Sequence, residues 1–382
     1  MGEFLFLMSA AAVAYSYAGF PLVVAVAAWL LPRAGVQKSD EYVPPVTLVI
    51  SAYNEETVIQ AKLRNSLDLD YPTGRLEIFV ASESTDGTND IVRRYERFDI
   101  RLRAFDGRLG KSATLFRVVP DANGEVIVFS DANALYDPDA IRKIVRNFCD
   151  PRVGAVVGQL NYTSATNSIG SRGERMYWLY DRWFRRHANV IPGLVPGVNG
   201  SIFAIRKDLY LPFGLERGDD YELCTRIAIR GYRVVLESAA IAKEKASENV
   251  EQQFRRKVRL VRWNLMSSLL LLRESLTHRA WVVALQVLSQ RLLRYLAPFC
   301  LLTAAIASLL LASESAFYAV VAVAQAAFYI TGGIGWLAEK RGVQLPLICL
   351  LPSYFLMVNT AAMVGVVSGI LNGQATVWQK VR

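Results

Sequence analysis

The sequence is poor in the side chains that most often bind zinc or form disulfides. It contains only two histidines, His187 and His278, and its four cysteines are scattered without CxxC spacing. We therefore expect no histidine-built zinc site, no disulfide scaffold and no Ser-His-Asp triad. Proton transfer in any reaction at neutral pH would then fall to carboxylates.

Charged residues are scarce at both ends of the chain. Residues 1–31 contain one, Glu3, and residues 281–371 contain six. Apolar stretches of this length are long enough to cross a bilayer, which takes about 20 residues. The residues between them have the composition of a soluble domain. The sequence therefore predicts an N-terminal transmembrane anchor, a soluble domain, and a region of interfacial and transmembrane helices, at 1–33, 34–280 and 281–382.

Basic residues beside the apolar stretches indicate the orientation. Arg33 and Lys38 follow the first stretch, and a run of arginines from Arg255 to Arg294 precedes the last ones. Because positive charge favours the inner side, we expect a multi-pass protein of the inner (plasma) membrane whose domain is cytoplasmic. The net charge of +9 clusters near the membrane segments, which favours membrane lipids as partners and no nucleic acid.

The C-terminal region divides into an interfacial stretch and three apolar spans. Residues 281–300 carry Arg291 and Arg294 among apolar residues, a pattern typical of a helix lying in the membrane interface. The apolar spans are expected at about 295–313, 316–338 and 344–371. One anchor and three spans place the basic C-terminus outside, which the charge rule disfavours. The number of spans and the side of the C-terminus stay open at this point.

Strand and helix patterns alternate in the central domain. Runs rich in β-branched residues are found at 46–51, 76–81, 102–105, 125–130 and 153–162. This order predicts an α/β fold with a mainly parallel sheet and helices on both faces. Ligands of such sheets bind beyond the carboxyl ends of the strands. The loops after residues 51, 81 and 130 should therefore converge on one site.

Each of these three loops carries acidic side chains. The loops read AYNEE at 52–56, SESTDGT at 82–88 and DAN at 131–133. A single aspartate in such a place often only caps a helix. Three acidic loops at three strand ends instead indicate oxygen ligands for Mg²⁺ or Mn²⁺ holding a diphosphate.

A lysine-containing motif lies nearby without forming a nucleotide-binding P-loop. Residues 107–112 read GRLGKS, but Phe105 stands where a Walker A motif requires glycine. No GxGxxG follows the first strand, so a dinucleotide site is not expected either. Lys111 opens a predicted helix, where it can meet a phosphate.

Three later segments are candidates for the remaining chemistry. The glycines at 197–201 permit either a close backbone approach to a ligand or merely a turn. Asp219 and Asp220 open a helix, and two adjacent carboxylates repel each other, which can raise the pKa of one toward that of a useful base. Residues 255–263 (RRKVRLVRW) are either a membrane-facing basic helix or a diphosphate clamp beside an acceptor.

Taken in order, these motifs resemble the membrane-bound family 2 glycosyltransferases. The resemblance rests on AYNEE (52–56), STDGT (84–88), GKS (110–112), SDAN (130–133), GVNGSIFAIR (197–206), DDYEL (219–223) and RLVRW (259–263). It implies a GT-A fold, a Rossmann-like cytoplasmic domain flanked by transmembrane helices, a nucleotide-sugar donor such as a UDP-sugar, and Mg²⁺ or Mn²⁺. The family includes synthases of cellulose, chitin, hyaluronan and poly-N-acetylglucosamine, and ceramide glucosyltransferases.

The resemblance also implies roles for individual residues. It makes Asp220 the catalytic base and Asp131 and Asn133 the metal ligands. The donor would be bound by Ala52, Tyr53, Glu55, Glu83, Lys111, Arg259 and Arg262. The acceptor would be bound by Gly200, Asp219 and Trp263. Two positions depart from the family pattern, because Glu83 stands where aspartate is usual and Asn133 replaces the second aspartate of the DxD motif.

The implied function is inverting transfer of a sugar to a membrane-associated acceptor. One base and one displacement mean inversion at the sugar carbon. Cell-surface polysaccharide synthesis onto a growing glycan is one interpretation, with export or assembly subunits as further partners. A single transfer to a lipid, either a glycolipid or a polyprenyl phosphate, is another. The two departures from the family pattern also leave open an inactive membrane scaffold.

Overall fold

The structure is a computed structural model that describes residues 1–31, 35–108, 110–163, 169–210, 220–245, 250–341, 343 and 347–372. The described residues contain one sheet of eight strands. The strands are β1 Val46–Ala52, β2 Leu76–Ser82, β3 Ile100–Ala104, β4 Val126–Asp131, β5 Leu135–Tyr136, β6 Val153–Thr163, β7 Phe203–Arg206 and β8 Arg233–Lys245. Their order across the sheet is β3-β2-β1-β4-β7-β6-β8-β5.

The pairing of the strands places their carboxyl ends at one edge. Strand β1 pairs in parallel with β2 and β4, and β2 pairs in parallel with β3. Two strands run against this direction: β7 is antiparallel to both β4 and β6, and the short strand β5 is antiparallel to β8. Strand β8 pairs in parallel with β6, so it ends at the same edge as β1, β2 and β4. The predicted parallel α/β organisation is confirmed.

Helices connect the strands and extend the chain into an apolar bundle. In the central region they are α3 Ile59–Leu67, α4 Thr88–Arg93, α5 Lys111–Val118, α6 Ala140–Val145, α7 Ile169–Ala188, α8 Asp220–Ile229 and α9 Val250–Thr277. The terminal regions contain α1 Gly2–Ala14, α2 Phe20–Leu30, α10 Trp281–Val287, α11 Leu293–Leu311, α12 Ala316–Lys340 and α13 Leu347–Asn372. One π-helical turn joins α1 to α2 and another joins α10 to α11.

The sheet is buried on both faces, as its near-continuous apolar strands require. Alternate residues of β1 point to opposite sides: Leu48 belongs to one core and Val49 to the other. The first core is completed by α3 and α6. The second core is completed by α5 and α8, and it continues through Leu271 of α9 and Val283 of α10. The core of the central domain is therefore continuous with helices α9 and α10.

Four helical segments among the described residues are long and apolar enough to cross a membrane. They are Gly2–Leu30, Trp281–Leu311, Ala316–Ala338 and Cys349–Leu371. The expected anchor and three C-terminal spans each correspond to one of them. The stretch 281–300 differs from its prediction as a separate interfacial helix, because it forms the first part of one continuous segment, 281–311. The division of the chain at residue 280 stays a prediction.

Helices α9 and α13 approach each other closely through two glycines. A β-carbon at Gly365 would lie 2.7 Å from Cβ of Val261 and 2.9 Å from the carbonyl oxygen of Val258. One turn further along α13, a β-carbon at Gly369 would lie 3.6 Å from the carbonyl oxygen of Arg262. Small residues four positions apart let two membrane helices pack backbone to backbone. This contact fixes α9 against the apolar bundle.

We expect Gly365→Ala to destabilise the protein by about 1–3 kcal/mol, because the added methyl group meets backbone and a β-branched side chain that cannot rotate away. The measurement is thermal unfolding of the purified protein in detergent. Gly333→Ala in α12 is the matched control, since a β-carbon there would meet nothing within 4 Å. Equal transition temperatures for the two variants would contradict the close approach.

Candidate active site

A cavity of about 1460 Å³ opens at the carboxyl edge of the sheet. It is lined by most of the residues that the sequence analysis singled out, namely Ala52, Tyr53, Glu55, Glu83, Lys111, Asp131, Asn133, Gly200, Asp220, Arg259 and Trp263. Arg262 is described by the structure but does not line the cavity, and Asp219 lies outside the described residues. The convergence of the acidic loops is thus observed, whereas the chemical roles of their side chains stay predictions.

The loops after β1 and β2 are tied together by side-chain and backbone hydrogen bonds. The amide of Asn54 donates to Oγ of Ser84 at 2.9 Å, and Oδ1 of Asn54 accepts from the amide of Thr85 at 2.9 Å. Asn54 has a φ of 53°, a left-handed conformation that asparagine tolerates better than most residues. This turn presents Tyr53 to the cavity, and the guanidinium of Arg108 lies 4.0 Å from the centroid of its ring.

Glu83 holds the helix that carries Lys111. Its carboxylate accepts hydrogen bonds from the amide of Gly110 at 3.0 Å and from Oγ1 of Thr114 at 2.5 Å. Gly110 has a φ of 90° and immediately precedes α5, so the carboxylate lies where the helix dipole favours negative charge. Because this anchoring orients the first turn of α5, Glu83 contributes to the site at least by positioning Lys111.

Lys111 and Asp131, which both line the cavity, form an ion pair. Nζ of Lys111 lies 2.5 Å from Oδ1 of Asp131, and Oγ of Ser201 donates to Oδ2 of Asp131 at 3.0 Å. The backbone of Gly200 passes beside this pair. A β-carbon at Gly200 would lie 3.3 Å from Nζ of Lys111 and 3.2 Å from Oδ2 of Asp220. Gly200 therefore leaves room between the lysine and the predicted base.

Glu244 is a carboxylate of the site that the sequence analysis missed. Its Oε1 accepts from Nδ2 of Asn133 at 2.7 Å, and its Oε2 accepts from Oγ of Ser201 at 3.2 Å. Burial, together with the nearby Asp131 carboxylate, raises the pKa of Glu244. Glu244 lies near the carboxyl end of β8. Ligands of parallel sheets bind beyond the carboxyl ends of the strands, so this carboxylate could have been predicted if residues 233–245 had been recognised as a strand.

Lys62 is a second residue that sequence reasoning missed. It is fully buried in α3 beneath the loop after β4. Its ammonium donates to the carbonyl oxygen of Ala134 at 2.5 Å and lies 3.9 Å from the centroid of the Tyr136 ring. Burial lowers the pKa of Lys62 to about 7, although the Asp131 carboxylate acts in the opposite direction. The lysine supports the backbone that carries Asp131 and Asn133.

The basic helix α9 closes the opposite side of the cavity. Arg256, Arg259 and Trp263 line it, whereas the backbone of Arg262 packs against Gly369 of α13. Of the two arginines predicted to bind the donor, Arg259 lines the cavity and Arg262 does not, and the roles of both stay predictions. Arg255 forms an exposed ion pair with Glu251 at 3.3 Å. Burial, together with the charge of Arg256, lowers the pKa of Arg259.

The side-chain oxygens around Asp131 suit a hard divalent cation that takes its remaining ligands from substrate oxygens. The described residues contain no group of three or more histidine, cysteine, aspartate or glutamate side chains placed to hold a metal ion. Asp131 and Glu244 provide two carboxylates that both lie within hydrogen-bonding distance of the single hydroxyl of Ser201, and Asn133 adds an amide oxygen. Mg²⁺ and Mn²⁺ sites that also bind phosphates commonly use only one or two protein carboxylates.

A comparison with known proteins identifies the family to which this chain belongs. The family model described as glycosyltransferase-like family 2 matches residues 44–262. The chain belongs to this family. The predicted membership is thereby confirmed, and the matched residues include β1 to β8 and the first half of α9.

Two curated relatives are similar to part of this chain. A β-monoglucosyldiacylglycerol synthase of Trichormus variabilis is 29% identical over 168 residues, which cover 43% of this chain and 36% of that protein. A poly-β-1,6-N-acetyl-D-glucosamine synthase of Staphylococcus aureus is 24% identical over 220 residues, covering 56% and 53%. The chain thus spans about a third to a half of the length of these relatives.

A solved structure extends the likeness of the fold to the apolar helices. The mannosyltransferase of Pyrobaculum calidifontis, in complex with GDP-mannose and Mn²⁺, superposes with a TM-score of 0.70 and 24% identity. The match covers 97% of this chain and 100% of that one. It confirms the predicted GT-A fold, including the arrangement of helices around the family 2 domain.

We expect Glu244→Gln to weaken Mn²⁺ binding by about 10–100-fold, because the substitution removes one of the two carboxylates and disturbs the partner of Asn133. Titration of the purified protein, followed by the electron paramagnetic resonance signal of free Mn²⁺, measures this directly. Glu251→Gln is the control, since that carboxylate is exposed on α9 and outside the cavity. Unchanged Mn²⁺ affinity in Glu244→Gln would remove Glu244 from the metal site.

Proposed function

We propose that this chain is a membrane-bound inverting glycosyltransferase that moves a sugar from a nucleotide-sugar donor to a lipid acceptor. The observation that carries the proposal is the extent of the cavity. It begins at Ala52 and Tyr53, beside the strand ends, and continues to Tyr295, Val358 and Ala362 on the candidate membrane spans. A soluble donor and a membrane-held acceptor can therefore meet without the acceptor leaving the bilayer.

The donor half of the cavity suits a nucleoside diphosphate sugar. Tyr53 offers an aromatic face beside the acidic loops, and Lys111 lies next to the candidate metal ligands. Arg256 and Arg259 face the cavity from α9 and can neutralise a departing diphosphate. A bound Mg²⁺ or Mn²⁺, held by Asp131, Glu244 and Asn133, would supply further charge stabilisation to the leaving group. The mannosyltransferase with the same fold contains Mn²⁺, which supports this assignment.

Asp220 is the proposed general base. It begins α8, lines the cavity, and approaches the same point beside Gly200 that Lys111 approaches. Its carboxylate would take the proton of the acceptor hydroxyl while the oxygen attacks C1 of the sugar and the bond from C1 to the diphosphate breaks. A single displacement by one base inverts the configuration at C1.

The membrane setting is proposed together with the reaction. We place the chain in the inner membrane with residues 34–280 in the cytoplasm, where nucleotide sugars are made, and with the terminal regions 1–33 and 281–382 in or on the bilayer. The arginine-rich α9 at the bundle surface supports this orientation. The glucosyldiacylglycerol synthase among the relatives supports a lipid acceptor.

A second candidate is polysaccharide synthesis with a growing glycan as acceptor. Trp263 lines the cavity, and an indole ring is well suited to stack on a sugar. The poly-N-acetylglucosamine synthase among the relatives supports this candidate as well. Export or assembly subunits would then be required as partners.

The test uses membranes containing the full chain, Mg²⁺ or Mn²⁺, and radiolabelled UDP- and GDP-sugars. We expect label in the organic phase, as a lipid product, and a loss of about 10²–10⁴-fold in transfer with Asp220→Asn, because the base is removed. Asp208→Asn, an exposed aspartate on a neighbouring turn, should leave transfer unchanged.

The other outcomes separate the alternatives. Label that accumulates with time in a high-molecular-weight fraction would identify a polysaccharide synthase. Wild-type transfer by Asp220→Asn would exclude Asp220 as the base. No transfer or donor hydrolysis with any sugar nucleotide would point to the inactive scaffold.

A further inference from the structure

Two arginines lie in the segment that joins the catalytic domain to the bundle. The helical segment Trp281–Leu311 has 31 residues, so it is about 46 Å long, whereas the hydrocarbon core of a bilayer is about 30 Å thick. Its last 17 residues, 295–311, carry no charge. In a bilayer these 17 residues, about 26 Å of helix, would fill most of the hydrocarbon thickness, so Arg291 and Arg294 would lie near the lipid head groups.

Arg294 is held in this position by neutral groups. Its Nη2 donates to Oη of Tyr180 at 2.8 Å and its Nε donates to the carbonyl oxygen of Ser16 at 3.3 Å. The guanidinium also lies near the rings of Tyr17 and Tyr180, at 5.6 and 5.7 Å from their centroids. No carboxylate of the described residues lies within 4 Å of it. A charge in a membrane helix is costly and normally has a functional partner.

Arg291 connects this position to the proposed base. Its guanidinium lies 3.9 Å from the centroid of the Tyr221 ring, and Tyr221 directly follows Asp220 at the start of α8. Both arginines line the cavity. A third arginine in its wall, Arg185, is already neutralised by Asp181 at 2.5 Å. Among the described residues, no carboxylate therefore forms an ion pair with Arg294 in this part of the cavity.

We propose that Arg294, assisted by Arg291, binds the phosphate of a phosphate-bearing lipid acceptor. This inference rests on the proposed function and names the class of lipid that it would use. A guanidinium binds phosphate oxygens through two parallel N–H donors, which matches the charge and the level of a head group at the membrane surface. Tyr17 and Tyr180 keep the guanidinium fixed, so little entropy is lost on binding. A neutral lipid would leave Arg294 without a counter-charge.

The experiment compares two lipids that differ only in the phosphate. Purified full-length protein in non-ionic detergent is titrated with dioctanoyl phosphatidate and with dioctanoyl glycerol, and binding is read by native mass spectrometry, without any sugar transfer. We expect the wild type to bind the phosphatidate at least about tenfold more tightly. Arg294→Gln should remove this preference and leave binding of dioctanoyl glycerol unchanged. Arg294→Lys keeps the positive charge but lacks the two parallel N–H donors, so it should retain part of the preference for phosphatidate.

Arg273→Gln is the matched control, because Arg273 is exposed on α9 and does not line the cavity; it should keep the full preference. Thermal unfolding of each variant verifies that it is folded. Equal affinities of the wild type for the two lipids, or an undiminished preference in Arg294→Gln, would overturn the proposal. Equally tight binding of inorganic phosphate would also overturn it, since the site would then recognise a soluble anion rather than a lipid.

A donor titration separates this site from the diphosphate site. Arg294→Gln should bind a UDP- or GDP-sugar as tightly as the wild type, and a parallel loss of donor affinity would assign Arg294 to the donor instead. Failure of the proposed function has a different signature, because no donor would then support transfer while the preference for phosphatidate persisted.

Discussion

The ion pair between Lys111 and Asp131 is the interaction on which the site depends. The parallel pairing of β1, β2 and β4 brings acidic loops together at one edge, where the carboxylates repel one another unless a cation lies among them. Lys111 provides that cation at 2.5 Å. Its position follows from α5, whose first turn is held by Glu83 through Gly110 and Thr114. The edge can thus remain acidic enough to attract a divalent ion and still be stable.

The cavity brings carboxylates of the strand ends and arginines of a candidate membrane span into one space. Asp131, Glu244 and Asp220 line it together with Lys111 and Arg259, and Arg291 and Arg294 line it from the segment Trp281–Leu311. Helix α9 contributes to the wall, and its close contact with Gly365 and Gly369 of α13 holds it there. In the proposed reaction the cation of the donor would meet the carboxylates, and an anionic acceptor would meet the two arginines of the span.

The parallel sheet and the converging loops could be predicted from the sequence, because the apolar, β-branched runs indicate which segments are buried strands and therefore which loops follow them. The parallel order and the convergence of the loops after residues 51, 81 and 130 follow from that rule. The sequence does not report which face of α9 lines the cavity. Arg259 and Trp263 line it, whereas the backbone of Arg262 lies against Gly369 of α13. Buried Lys62 was equally hidden, because its partner is a backbone carbonyl 72 residues away.

Glu244 offers a physical explanation for the asparagine at position 133, where the family pattern has aspartate. A DxD motif places two carboxylates on one loop, and this chain has only Asp131 there. The structure brings a second carboxylate to the same place from β8, and the amide of Asn133 is the group that holds it, at 2.7 Å. An aspartate at position 133 would repel Glu244 instead of donating to it. The asparagine is therefore consistent with a metal-binding site whose second charge has moved to another strand, and it gives no reason to regard the chain as an inactive scaffold.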